Sequence, residues 1–71
     1  MSINFEKGKV SLNNSETLTV NLTKSYIKPV IKLTPREDII VTISDITSNT
    51  FKINSSVQVS TDIYYIVIEG N

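Results

Sequence analysis

Arg36, Glu37 and Asp38 stand together on a predicted turn after Pro35, and they are the densest group of chemically capable side chains in the sequence. A guanidinium offers a planar fork of donors and a carboxylate offers paired acceptors, so such a loop could hold a hydroxylated ligand. The same residues also make an ordinary polar turn behind a proline, and the sequence leaves both readings open. Asp45-Ile46-Thr47-Ser48 is a second turn candidate, with Asp45 expected to bond the following backbone as an Asx-turn and Ile46 to tuck inward.

For catalysis the inventory is poor. The chain has no His and no Cys, hence no imidazole base, no thiolate nucleophile and no soft metal ligand. Ser and Thr are plentiful, but no glycine-rich elbow or base motif accompanies them. Gly8 and Gly70 are the only glycines, too few for a phosphate-cradling loop. Glycoside hydrolysis needs two acids flanking one cleft, and the seven acids here are scattered over turns. No catalytic residue, metal site or cofactor is expected, and the chain reads as a non-enzyme.

The elements that must position these residues are strands. Of the 71 residues 26 are Ile, Val or Thr, and none is Ala. β-Branched side chains are stiff at χ1 and fit a pleated surface, whereas Ala is the best helix former. Turn signals recur at nearly even spacing, at Asn13-Asn14-Ser15, Pro35–Asp38, Ser48-Asn49 and Asn54-Ser55-Ser56. Between them lie runs that predict strands at 9–12, 17–22, 29–34, 39–43, 51–53, 57–59 and 63–68, with 57–59 readable as an edge strand or as loop. In 17–22 the alternation is strict: Leu18, Val20 and Leu22 point in, and the intervening Thr17, Thr19 and Asn21 point out. Runs 9–12 and 17–22 are expected to pair as a hairpin, and Lys24–Lys28 to form a loop that folds Tyr26 and Ile27 onto the core.

The fold class is therefore all-β, a small antiparallel β-sandwich of about six strands in one domain spanning 1–71, with residues 1–7 a flexible or strand-exchanged arm. Seven basic and seven acidic residues cancel, so the basic footprint of a nucleic-acid binder is missing. No run approaches the ~20 apolar residues of a membrane-spanning helix, and the N-terminus lacks the regions of a signal peptide. Synthesis in a cytosol, without nucleic-acid or membrane partners, is the expectation.

The final run, Ile63-Tyr64-Tyr65-Ile66-Val67-Ile68, is apolar on both faces. A domain this small has one core, and below roughly 70–80 residues a lone core seldom supplies more than about 3–5 kcal/mol. One face is expected to join that core and the other to meet a neighbouring subunit. Ile63, Tyr65 and Val67 are assigned to the subunit interface, with Tyr26 at its rim.

Taken in order, Gly8–Leu12, Tyr26–Ile31, Val41–Ile53 and Tyr64–Gly70 resemble the six-stranded H-type lectin-like sandwich of bacteriophage fibre and tail-associated proteins. The Pro-Val-Ile strand, the Asp-Ile-Thr and Phe-Lys-Ile segments and the aromatic last strand before Gly70 carry that likeness. The resemblance implies a sandwich fold, a homotrimer, other virion proteins (capsid or tail) as partners, and a place on the virion after synthesis in the host cytoplasm. It also implies that aromatic, Arg and Asp side chains can surround a host glycan, which adds Asp62 to Arg36 and Asp38 as candidate ligand-binding residues. The Trp-bearing last strand of such lectins is absent here. A virion structural protein (short fibre, knob or capsid decoration protein) is thus the leading expectation, and a carbohydrate-binding lectin module the alternative.

Overall fold

A computed structural model describes residues 4–70. It contains four strands, β1 (Phe5–Asn21), β2 (Pro29–Pro35), β3 (Val41–Ser44) and β4 (Thr50–Glu69), and no helix among the described residues. All pairings are antiparallel. β4 is central: β1 runs along one edge, while β3 and then β2 share the other.

Seven predicted runs become four strands because two of the turn signals lie inside strands. Runs 9–12 and 17–22 are not a hairpin but parts of β1, interrupted by register shifts between Leu12 and Ser15 and between Ser15 and Thr17. Asn14 takes a left-handed φ of 52° there, a conformation that Asn tolerates better than most residues. Its amide donates to Ser60 Oγ, and its carbonyl accepts from Gln58 Nε2. Runs 51–53, 57–59 and 63–68 likewise fuse into β4. Ser55 Oγ donates to the Val57 carbonyl and accepts from its amide, satisfying the polar backbone where pairing with β1 lapses. The predicted strand 39–43 shortens to Val41–Ser44, because a tight turn closed by Ile39 N–H to Glu37 O precedes it.

These bulges bend the sheet. Phe51 and Tyr65 sit 14 residues apart in one strand, a separation of roughly 46 Å if straight at 3.3 Å per residue. Their rings nevertheless meet edge-to-face with centroids 5.7 Å apart. β4 therefore folds back on itself, and both of its halves feed one core of Leu12, Val20, Tyr26, Phe51, Ile53, Ile63 and Val67. Extra residues on one strand of a pair produce this kind of sharp bend.

The 22–28 connection is fastened by two carboxylates. Glu6 accepts from the Thr23 and Lys24 amides and from the Tyr26 hydroxyl, and Glu69 accepts from the Ile27 and Lys28 amides. Tyr26 is thereby sunk into the core. Ile27, expected beside it, is instead 89% exposed, because both of its neighbours' anchors turn its side chain outward. Ile46, also expected inward, is exposed in the β3–β4 loop, where Asp45 adopts φ 52° and Thr47 closes the turn onto Thr50. Of the proposed arm, Phe5, Glu6 and Lys7 pair with Ile68, Val67 and Ile66 of their own chain, and residues 1–3 lie outside the described residues.

Candidate ligand cleft and the outer sheet face

Three strands, β1, β4 and β2, lie side by side over residues 5–12, 61–69 and 29–36, and opposite residues share a face. The inner rows are Glu6–Val67–Ile31, Gly8–Tyr65–Leu33 and Val10–Ile63–Pro35. The outer rows are Phe5–Ile68–Val30, Lys7–Ile66–Lys32, Lys9–Tyr64–Thr34 and Ser11–Asp62–Arg36.

This register corrects the interface assignment. Ile63 and Val67 have no exposed surface within the single chain, Tyr26 is buried, and Tyr65 is half-buried against Phe51. Ile63, Val67 and Tyr26 belong to the protomer's own core, and Tyr65 packs against it. Gly8 explains the parity: a Cβ there would lie 2.6 Å from the Tyr65 hydroxyl, so only glycine leaves room for the ring over β1. The outward residues are the alternate set, Tyr64, Ile66 and Ile68, at 40%, 44% and 44% exposure. Phe5 and Val30 extend that apolar surface, which Lys7, Lys9 and Lys32 flank. A shallow depression of about 500 Å³ lies between Lys7, Lys9, Tyr64 and Ile66.

At the polar end of the same face, Arg36 and Asp62 come together. The Arg36 amide donates to the Asp62 carbonyl at 3.0 Å, continuing the β2–β4 ladder past Pro35. Its guanidinium donates to the Tyr64 hydroxyl at 3.2 Å. Asp62 accepts from Ser11 Oγ at 2.7 Å and faces Lys9 Nζ at 3.9 Å. A cleft of about 470 Å³ is lined by Leu12, Arg36, Glu37, Ser60, Thr61 and Asp62. Asp38 is exposed on the loop and outside this lining. Its side chain is carried past the ladder by the Glu37–Ile39 turn.

The cleft thus offers a guanidinium, two carboxylates and two hydroxyl groups within one opening, a set suited to hydroxylated ligands rather than to bond cleavage. Ser11 and Lys9 were not marked by sequence pattern alone. The signal was available in the pairing arithmetic, because aligning Val10 with Ile63 brings Ser11 opposite Asp62 and Lys9 opposite Tyr64.

Among the described residues, four groups depart from their ordinary proton affinities. Burial pushes the Tyr26 phenol up to about 12, helped by its bond to the Glu6 carboxylate. Burial, then the Glu6 charge, raises Tyr65. Burial pulls Glu6 upward, but the bonds from Thr23, Tyr26 and Lys24 outweigh it and hold the carboxyl below its usual range. The Lys28 and Ile27 amides lower Glu69.

No family model matches the chain, and no curated protein or solved structure does so either.

Proposed function

We propose that this chain is a non-enzymatic structural protein of a bacteriophage particle, a short fibre, knob or capsid decoration protein that assembles as a homotrimer on the particle surface. The observation that carries the assembly is the two-sided use of β4. One face of its C-terminal half is core, and the other presents Tyr64, Ile66 and Ile68 to solvent, with Phe5 and Val30 alongside. A contiguous apolar patch of this kind on so small a chain marks an association surface. The folding-back of β4 that stacks Phe51 on Tyr65 supports the sandwich reading, and the sequence's likeness to the H-type lectin-like domains of phage fibres supports the virion setting.

Light scattering tests the assembly. A mass near three times 7.9 kDa is expected, and Ile66→Glu should return the protein to a monomer. A folded wild-type monomer at micromolar concentration would defeat this reading. For the virion role, neighbouring genes should encode head or tail proteins.

A second reading is favoured by the convergence of Arg36 and Asp62 on one cleft, with Tyr64 holding the Arg36 guanidinium beside it. In it the module binds host glycans, with avidity supplied by the oligomer. Millimolar or tighter binding on a glycan array, lost in Arg36→Ala and Asp62→Ala, would support it. No binding to any glycan would remove it.

A further inference from the structure

The outer face is not only apolar but electrically one-sided. Its four rows hold Lys7, Lys9, Lys32 and Arg36 against one acid, Asp62, which is already engaged by Ser11 and Lys9. Lys24 adds a cation at the Phe5 end, its Nζ 5.7 Å from the ring centroid and bonded to the Phe5 carbonyl. Since the whole chain is neutral, the compensating acids lie elsewhere. Glu6 and Glu69 are occupied by the 22–28 connection. Glu16 and Asp45 are exposed singly, whereas Glu37, which also borders the Arg36 cleft, and Asp38 are exposed together on the β2–β3 loop that carries Ile40, 70% exposed.

That loop is held in shape. Arg36 N–H to Asp62 O fixes its start, Ile39 N–H to Glu37 O tightens its tip, and Ser56 N–H to Ile40 O ties its end to the bend of β4. A pre-shaped loop loses little conformational entropy on docking.

We infer that the Glu37–Ile40 loop of one protomer docks on the lysine-flanked Tyr64–Ile66–Ile68 face of the next, in a head-to-tail contact between copies of this chain. This rests on the proposed homotrimer and names the two surfaces that meet in it. The apolar Ile40 seats on the apolar spine, and the two carboxylates approach Lys7, Lys9 and Lys32. A two-fold contact, outer face against outer face, would instead confront the lysine rows with each other, and like charges across an interface are penalised. Two different patches meeting head to tail form a closed ring when the rotation permits.

The natural absence of Cys makes the contact directly readable. Differently tagged Ile40→Cys and Ile66→Cys chains, co-expressed and treated with a short bis-maleimide, should cross-link to one another. Ile66→Cys chains alone should not. Charge reversal gives an independent measure: Lys7→Glu with Lys32→Glu, or Glu37→Lys with Asp38→Lys, should each weaken assembly about tenfold or more, and combining all four in one chain should restore it. A monomeric wild type would defeat the homotrimer and this contact together. An oligomeric wild type that cross-links Ile66→Cys to itself, that links through Ile46→Cys in place of Ile40→Cys, or that shows no rescue when both charge reversals are combined in one chain would overturn the contact while leaving the assembly standing.

Discussion

At the scale of single residues, Gly8 and the two carboxylates Glu6 and Glu69 decide more than their chemistry advertises. Gly8 makes room for Tyr65, whose ring packs in turn on Phe51. Gly8→Ala forces that ring aside, and overpacking of this sort costs about 1–3 kcal/mol. Urea unfolding should show the loss, and a midpoint equal to wild type would mean that Tyr65 has somewhere else to go. Both carboxylates are held below their usual range by donors that only the folded chain supplies. The unfolded chain therefore binds more protons as acid is added, so the stability they contribute is complete above the ordinary Glu value of 4.5 and falls as pH drops through the lower folded values. Glu6→Gln with Glu69→Gln should flatten the unfolding midpoint between pH 5 and pH 3 relative to wild type. An unchanged acid slope would assign the acid sensitivity to other groups. The ligand candidates show what sequence could reveal at this scale: Arg36 and Asp62 meet because Arg36 extends β2 by one ladder bond, whereas Asp38, two residues on, leaves the cleft.

At the scale of elements, the alternation of β-branched residues located strands well and their ends poorly. Leu18 and Val20, Phe51 and Ile53, and the proline-bounded β2 all lie as their spacing predicts. Asn13-Asn14-Ser15 and Asn54-Ser55-Ser56 do not end strands, because the same small polar side chains that close a hairpin can also pair with an irregular stretch inside one. Only the cross-strand partners Gln58 and Ser60, more than forty residues away, distinguish the two outcomes for Asn14. The β4 parity was undecidable from its own residues, as both faces are equally apolar. It was settled by the small Gly8 and charged Lys7 and Lys9 on the opposing strand. The bulge itself makes a prediction: Asn14→Val places a β-branched residue at positive φ, where it is a genuine outlier. That should cost about 1–3 kcal/mol, and Asn14→Gly should restore most of it. Equal stability of the Val variant by chemical denaturation would mean that the backbone at position 14 relaxes to negative φ.

At the scale of the whole molecule, the chain places most of its apolar residues in one bent core or on one exposed sheet face, and leaves Ile27, Ile40, Ile46 and Val57 exposed outside both. Phe5, Val30, Tyr64, Ile66 and Ile68 occupy adjacent rows of that face, too close together to be scattered surface residues. Chains of this length rarely reach high stability on a single core without disulfides, metals or partner subunits, and this chain has no Cys or His to supply the first two by the usual routes. Proposed assembly through the outer face couples folding to association, so stability must rise with concentration. For a trimer that unfolds to three free chains, each tenfold increase in concentration adds two-thirds of the ~1.4 kcal/mol that a factor of ten represents, about 0.9 kcal/mol per protomer. In a domain of this size that corresponds to a rise in Tm of roughly 4–7 °C. Ile66→Lys, which adds a cation to the middle of the lysine-flanked face, should abolish the dependence while leaving the core intact. Thermal scans of both proteins at two concentrations decide the matter: a wild-type Tm indifferent to concentration would mean that each chain folds alone and that its outer apolar face is left to water.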